Sequence, residues 1–317
     1  MAGLRVSSSP HVRGKNSTQR IMLDVIIALL PAVIAATIIF SWRVLLLVGV
    51  CVATCVISEL LCRIAMKRDN TVGDLSAVVT GLLLALNLPP TLPVWMAMLG
   101  SVVAIVVVKQ FFGGLGQNFV NPAIAGRIIL TLCFASAMTA YVEPITHPIT
   151  VDGVTCATPL GVFAGGEGAL PPLSHMLLGL RSGSLGETSA LALIIGGIYL
   201  IIRRVISPII PATFISTVFV CAFLKEMSLE FAVYHVLSGG LLLGAIFMAT
   251  DYVTSPISKL GKVIFGVGCG IITVVIRFWG SLPEGVSYAI LLMNILTPHI
   301  DNLTLPKAFG KVKEGKK

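Results

Sequence analysis

The amino-acid sequence predicts an all-α polytopic membrane protein with about ten transmembrane helices. Of its 317 residues, 56% are hydrophobic and only 11% are charged, whereas soluble proteins average about 25% charged residues. The hydrophobic residues also gather into ten long runs, and a helix needs roughly 20 such residues to cross a bilayer. A soluble enzyme, a disordered chain and a disulfide scaffold are therefore excluded.

The ten predicted helices follow one another closely, except for one long polar gap after the fifth. They cover residues 21–40, 44–62, 75–88, 93–109, 122–141, 187–202, 205–224, 232–249, 261–279 and 285–300. The third run is short and leads into Pro89 and Pro90. Because proline cannot continue a helix, this segment is expected to stop or break inside the membrane.

The distribution of lysine and arginine predicts that both chain ends are cytoplasmic. With the N-terminus inside, seventeen of the 22 basic residues fall on the cytoplasmic side and four face outward, namely Arg43, Arg181, Lys225 and Arg277. Such an excess follows the positive-inside rule and requires an even number of spans. The basic C-terminal tail is then expected to contact membrane lipid, and no nucleic-acid partner is expected.

An internal repeat predicts two halves of opposite orientation. Residues 80–86 of the third run resemble residues 239–245 of the eighth. An offset of five spans reverses the direction of crossing, which indicates two inverted five-helix repeats with sites near short or broken helices. The predicted regions are a cytoplasmic tail, a first half, an extracytoplasmic loop, a second half and a basic tail, at residues 1–20, 21–141, 142–186, 187–300 and 301–317.

Three charged residues lie in or beside apolar runs, where a charge costs at least about 2.5 kcal/mol. Asp24 lies four residues after Arg20, and Glu59 lies four residues before Arg63. These carboxylates either pair with their neighbours at the membrane interface or belong to an ion pathway. Arg127 in the fifth run either extends toward the interface or binds an anionic group.

Four polar residues are predicted to meet where the two repeats join. Thr80, Asn118, Asn121 and Asp251 all face the cytoplasmic side under the predicted topology. Asn121 precedes a proline and suits a helix cap, while the alternative is that both amides bind the polar edge of a ligand. The sequence has no nucleotide-binding or hydrolase motif, and its histidines lack ligand spacing. No metal site and no catalytic residue are therefore expected.

Seven strings carry a resemblance to a known family. They are residues 9–13, 21–24, 113–123, 183–189, 247–256, 283–286 and 292–298. With them the chain resembles the family that contains the D subunit of the Rnf electron-transfer complex and the B subunit of the sodium-pumping NADH:quinone oxidoreductase.

The resemblance implies a covalent FMN in the long loop. In this family a flavin transferase attaches FMN through its phosphate to the threonine that ends a Ser-Gly-Ala-Thr motif. The corresponding acceptor is Thr158, in a loop that also contains Asp152, Thr155, Ala157 and Pro159. Thr155 replaces the serine and Cys156 replaces the glycine of the motif, so the turn geometry is expected to differ.

The resemblance also implies a second flavin, other proteins of the complex and an ion to be moved. Riboflavin, bound noncovalently, maps onto Thr80, Asn118, Asn121 and Asp251. The partners are the flavoprotein G subunit outside the membrane, iron–sulfur subunits and the flavin transferase. Asp24, Glu59 and Asp251 are the candidates for the ion pathway.

The function implied is that of one subunit in a redox-driven ion pump of the plasma (inner) membrane of a prokaryote. The subunit passes electrons across the membrane, and the complex couples electron transfer between ferredoxin and NAD to movement of Na⁺ or H⁺. It has no complete activity alone. Two alternatives remain at this point, a urea-transporter-like channel and a purely structural membrane anchor.

Overall fold

The computed structural model describes residues 17–142, 144, 156–165, 170–187, 189–280 and 284–305. Within those ranges every regular element is a helix. In the first half these are α1 (Thr18–Phe40), α2 (Arg43–Ala65), α3 (Ser76–Leu86), α4 (Val94–Val102), α5 (Pro122–Cys133) and α6 (Ala135–Met138). A 3-10 turn (Val72–Asp74) precedes α3, and a π-helix (Val103–Gln110) continues α4.

The second half begins with two short helices, α7 (Pro159–Phe163) and α8 (Leu173–Leu178). Six further helices follow them. They are α9 (Ala190–Ile202), α10 (Ile209–Glu226), α11 (Leu229–Leu237), α12 (Leu241–Leu243), α13 (Lys259–Trp279) and α14 (Val286–Thr304). A second π-helix (Gly244–Met248) continues α12. All ten predicted apolar runs therefore contain helix, and α7 and α8 lie in the predicted loop.

Side-chain caps explain where several helices begin. Ser17 accepts a hydrogen bond from the backbone of Arg20 at the start of α1. Ser189, Ser228 and Ser258 do the same at the starts of α9, α11 and α13. A hydroxyl at this position satisfies a backbone N–H that the helix leaves unpaired.

Length and composition identify membrane spans within the described part of the chain. Four helices are long and apolar enough to cross a membrane alone, namely α1, α2, α10 and α13. Helix α11 and the α12 segment, which bend by 65° at their junction, pass the same test as a pair and form either a broken fifth span or a re-entrant loop. Exposed side chains on these helices include Ile38 and Ile64, as expected for a surface that contacts lipid. The chain is a multi-pass membrane protein.

Partly buried polar contacts define two ends of the helical bundle. At the first end, Asp24 near the start of α1 meets Arg203 just after α9. At the opposite end, Arg43 at the start of α2 donates hydrogen bonds to the carbonyls of residues 90–92, and Thr91 donates to the carbonyl of Ala140. The helices between them pack as α1 with α9, α2 with α3, and α10 with α13.

Candidate functional site

A cavity of about 240 Å³ opens at the end of the bundle that carries Arg43. Its wall combines residues from five separate parts of the chain. Thr158 and Arg127 line it together with Arg181, Glu187 and Glu284. We call it the Thr158 cavity.

Thr158 is half-buried and caps the short helix α7. Its Oγ1 accepts a hydrogen bond of 3.1 Å from the backbone N–H of Gly161. This bond uses a lone pair and leaves the hydroxyl proton free, so the oxygen can become an ester oxygen without losing the cap. The neighbours of Thr158 are fixed as well: Pro159 is the buried first residue of α7, and the carbonyl of Ala157 accepts a 2.8 Å bond from the Ser182 hydroxyl.

Arg127 is a buried residue of the cavity wall. Its guanidinium forms an ion pair with Glu284 and lies 3.5 Å from Glu187. It also donates to Asn87 Oδ1 at 2.8 Å and to Ser287 Oγ at 3.2 Å. Of the two interpretations of Arg127, binding of an anionic group is therefore correct, and the group is a carboxylate of this chain.

The two glutamates of the Thr158 cavity differ in electrostatic environment, although both lie in connections between helices. Burial and the adjacent Glu284 carboxylate raise the pKa of Glu187 to about 8. Burial also acts to raise the pKa of Glu284. The Arg127 guanidinium, the hydrogen bonds from Glu187 and the Gly240 N–H, and the charge of Arg277 together outweigh burial and hold that pKa well below its usual range. These environments favour the neutral form of Glu187 and the ionised form of Glu284.

A second cavity, of about 90 Å³, lies toward the first end of the bundle. We call it the Asp251 cavity. Its lining contains all four residues predicted to form a binding cluster, Thr80, Asn118, Asn121 and Asp251. They come from α3, the connection before α5, the start of α5 and the segment after the second π-helix. The structure thus brings together residues up to 171 positions apart in the sequence.

Several polar atoms of this cluster already have partners. Thr80 donates to the carbonyl of Ser76, and Asn118 Nδ2 donates to the carbonyl of Val120. Asn121 caps α5 by accepting from two backbone N–H groups, and its Nδ2 donates to the carbonyl of Met248. The capping interpretation of Asn121 is confirmed. Asn121 also connects α5 to the second π-helix.

Glu59 pairs with a different residue from the one expected. It is fully buried, and both carboxylate oxygens lie within about 3 Å of Lys109 Nζ. Gln110 donates to the same carboxylate, and Lys109 also donates to Ser76. Interfacial pairing with Arg63 was therefore wrong, because Lys109 at the end of the first π-helix reaches Glu59 from a neighbouring helix.

Asp24 also binds across a helix interface. Its carboxylate accepts from the Tyr199 hydroxyl at 2.9 Å and from Arg203 Nη2 at 3.2 Å. Tyr199 lies in α9 and Arg203 follows it. The sequence indicated only the neighbouring Arg20 as a partner and did not predict this contact between α1 and α9.

Sequence reasoning missed the charged groups that surround Thr158. Arg181, Glu187 and Glu284 were not predicted as site residues. Arg181 and Glu284 lie outside the predicted apolar runs, and Glu187 is the first residue of the sixth run. A signal was nevertheless present, since two of the family-like strings, 183–189 and 283–286, contain the two glutamates. The predicted loop residues Asp152 and Thr155 lie outside the described residues.

Helix α5 connects the two cavities. Asn121, which caps it, lines the Asp251 cavity, while Arg127 in its middle lines the Thr158 cavity. The two cavities therefore share one short element of the scaffold.

Known proteins are similar in sequence to this chain over almost its full length. Residues 5–310 match the NQR2, RnfD, RnfE family. The chain is 48% identical over 315 residues to the D subunit of the Na(+)-translocating ferredoxin:NAD(+) oxidoreductase complex of Acetobacterium woodii, covering 98% of this chain and 96% of that one. It is 41% identical to the D subunit of a proton-translocating ferredoxin:NAD(+) oxidoreductase complex of Clostridium ljungdahlii, with 96% of each chain covered.

A third relative is the D subunit of an ion-translocating oxidoreductase complex of Stutzerimonas stutzeri, at 38% identity and 95% coverage of both chains. The similarity extends over nearly the full length in all three cases. This chain belongs to the NQR2, RnfD, RnfE family of membrane subunits.

Proposed function

We propose that the chain is the D subunit of an ion-translocating Rnf complex and carries FMN joined covalently to Thr158. The relatives are named as parts of ferredoxin:NAD(+) oxidoreductase complexes that translocate sodium ions or protons. The observation that carries the proposal is the position of Thr158, whose half-buried hydroxyl lines a cavity together with buried arginines.

The surroundings of Thr158 fit an esterified threonine. Attachment would join Oγ1 to the flavin phosphorus of an activated flavin donor bound by the transferase. The bond from that phosphorus to the leaving phosphate of the donor would break, and the hydroxyl proton would be released. The Gly161 N–H holds that oxygen in place, and Ser182 fixes the preceding carbonyl. FMN, when bound, supplies one- and two-electron redox chemistry, while the residues of the chain orient it and restrict water around it.

A second flavin, riboflavin, is proposed for the Asp251 cavity. Support comes from the convergence of Thr80, Asn118, Asn121 and Asp251 on one cavity with apolar walls. Amide and carboxylate groups suit the polar edge of a flavin ring, and aliphatic side chains such as Leu83 suit its faces.

The proposed topology has ten crossings arranged as two inverted repeats, with both termini in the cytoplasm. The helix directions support it, since the connections of α2 to α3 and of α9 to α10 lie at the first end of the bundle. Thr158 then faces the outside of a prokaryotic plasma membrane. There it can meet the flavin transferase and the flavoprotein G subunit, while iron–sulfur subunits of the complex complete the electron path.

The ion pathway is proposed to involve Asp24, Glu59 and Asp251. Asp24 and Glu59 are paired with Arg203 and Lys109. A cation passing either carboxylate would have to compete with the resident basic group. Asp251 has no ion pair within the described residues, where its carboxylate accepts from the Thr254 hydroxyl.

One flavin assay tests both proposed cofactors. The chain is expressed with its flavin transferase, and covalent flavin is measured as in-gel fluorescence after denaturation. Noncovalent flavin is measured in the extract. Thr158→Val is expected to abolish the in-gel signal and keep the extracted flavin. Asn118→Leu is expected to keep the in-gel signal and abolish the extracted flavin.

Matched controls separate these effects from general damage. Thr139 lines the same cavity as Thr158 but is exposed and bonded to the carbonyl of Ala135, so Thr139→Val should keep the in-gel signal. Asn302 is exposed near the end of α14, so Asn302→Leu should keep the extracted flavin. A dark wild-type band would refute the covalent flavin, and unchanged extraction from Asn118→Leu would refute the second site.

A further inference from the structure

The Thr158 cavity contains an arginine whose charge is not matched by a bonded carboxylate within the described residues. Arg181 is only 4% exposed. Its Nη2 donates to the backbone carbonyl of Glu187, and its Nη1 faces the sulfur of Met176 at 3.7 Å. Its Nε is buried without a hydrogen-bond partner in the described part of the chain. A buried guanidinium in this condition requires a compensating anion.

The other buried charges around the cavity do not provide that anion. The Glu284 carboxylate forms its ion pair with Arg127. Arg277 donates hydrogen bonds to the backbone carbonyls of His235 and Ser238 at the end of α11. Together with Glu187 and Arg181, the cluster formed by these described residues has three guanidinium groups and two carboxyl groups. It therefore has a surplus of one positive charge even when both carboxyls are ionised.

The segment that carries Arg181 is attached to the segment that carries Thr158. Ser182, the next residue, donates its hydroxyl hydrogen bond to the carbonyl of Ala157 at 2.8 Å. Thr158 and Arg181 consequently line one cavity, with neighbouring residues in direct contact. The surplus charge thus lies on the same cavity wall as the half-buried hydroxyl.

We propose that Arg181 is the binding residue for a phosphate ester in the Thr158 cavity, and that this ester is the one that joins the flavin to Thr158. The inference rests on the covalent FMN of the proposed function. With Glu187 neutral, as its environment favours, the surplus is two positive charges, and the single negative charge of a phosphodiester compensates one of them. Guanidinium groups also bind phosphate oxygens through paired N–H donors, so the free Nε of Arg181 gains a partner.

Phosphate competition tests this site. The probe is inorganic phosphate, added to protein in a sugar-headgroup detergent so that no lipid phosphate is present, and the readout is the midpoint of thermal unfolding. Thr158→Val protein has an open site, and saturating phosphate should raise its midpoint by about 2–4 °C. Flavin-loaded wild type should show no such rise, because its ester already occupies the site. Equal rises in both proteins, or none in Thr158→Val, would overturn the proposal.

A second comparison assigns the effect to Arg181. In the Thr158→Val background, Arg181→Gln should abolish the phosphate-dependent rise. Arg43→Gln, which removes an arginine at the same end of the bundle but outside the cavity, should keep it. A full rise in the Arg181→Gln protein contradicts the proposal. If Arg181→Gln does not fold, the comparison of wild type with Thr158→Val still decides.

The outcomes also separate this inference from the covalent flavin itself. A dark wild-type band with a phosphate response that needs Arg181 would retain the phosphate site and remove the flavin attachment. A fluorescent wild-type band without any response to phosphate would retain the flavin attachment and remove the phosphate site.

Discussion

Glu187 and Glu284 lie around the same arginine but have opposite proton affinities. Glu284 has the ion pair with Arg127 and a hydrogen bond from the Gly240 N–H. Glu187 is 3.5 Å from Arg127 and is buried against the Glu284 carboxylate, which favours its neutral form. Two like charges this close in a buried site cannot both be ionised cheaply, so one carboxyl retains its proton.

The two glutamine substitutions are therefore expected to differ. Glu187→Gln replaces a neutral acid with a neutral amide and should change stability little at neutral pH. Glu284→Gln leaves the buried Arg127 without its carboxylate, and loss of one partner from such a pair costs about 3–5 kcal/mol. Thermal unfolding of the purified protein at pH 7 measures both effects. Equal losses for the two variants would contradict the assignment of the proton to Glu187.

The raised pKa of Glu187 also predicts a pH dependence. The folded chain binds this proton more tightly than the unfolded chain, so the stability it contributes is complete below the unfolded pKa of about 4.3. That stability is lost as pH rises through the folded pKa of about 8. The unfolding midpoint of wild type should fall from about pH 6 to about pH 9, and Glu187→Gln should remove much of that fall. Parallel curves for the two proteins would exclude Glu187 as the titrating group.

Part of the site could be predicted from the sequence, and part depended on contacts between distant residues. Asn121 before Pro122 carries a local capping signal, and Thr158 carries a motif. The partners of Glu59 and Arg127 carry none, because Lys109 is 50 residues from Glu59 and Glu284 is 157 residues from Arg127. Sequence patterns show that a buried charge needs a partner without showing which helix supplies it.

Helix positions were easier to predict than helix continuity. Each apolar run contains helix because a membrane requires internal hydrogen bonding of the backbone. The breaks follow local chemistry that hydrophobicity does not show. The eighth run breaks at Ser238–Gly240, where Gly239 has a φ of 68°, and α5 ends at Cys133 inside the fifth run. The π-helices after α4 and α12 also carried no signal in the sequence.

The contact between α2 and α3 depends on a glycine. A Cβ on Gly81 would lie 2.7 Å from Val52 Cα, so Gly81→Ala must push the two helices apart. We expect a loss of about 1–3 kcal/mol, as for other overpacked interiors.

Gly49 on α2 is the matched control, because a Cβ there meets nothing within 4 Å. Gly49→Ala should be neutral or should stabilise the chain by up to about 1 kcal/mol through helix propensity. Thermal unfolding in detergent compares the two variants. Similar stability of both alanine variants would show that the close approach at Gly81 is not limiting.

The two ends of the bundle differ in charge and in the cavity that each contains. The Thr158 cavity is at the end with Arg43 and Lys225, and the Asp251 cavity is toward the end with Arg203 and Lys259. Lysine and arginine residues are more numerous at the end with Arg203 and Lys259 than at the other end, which predicts that this end is cytoplasmic.

Reporter fusions at the two ends of α10 test this orientation. Alkaline phosphatase, which is active only outside the cytoplasm, should be active when fused after Glu226 and inactive when fused after Arg204. A green fluorescent protein fused after Lys317 should be fluorescent. The reverse pattern would place Thr158 in the cytoplasm and contradict the proposed route of flavin attachment.

The sharing of α5 by both cavities has a consequence for electron tunnelling. Asn121 and Arg127 are six positions apart, and at 1.5 Å per residue this separates the two cavity walls by about 9 Å along the helix axis. A helix changes its length very little when its neighbours move, so redox groups in the two cavities would keep a nearly constant gap. Under the proposed function, the distance between the two flavins would then stay nearly constant while the surrounding helices move.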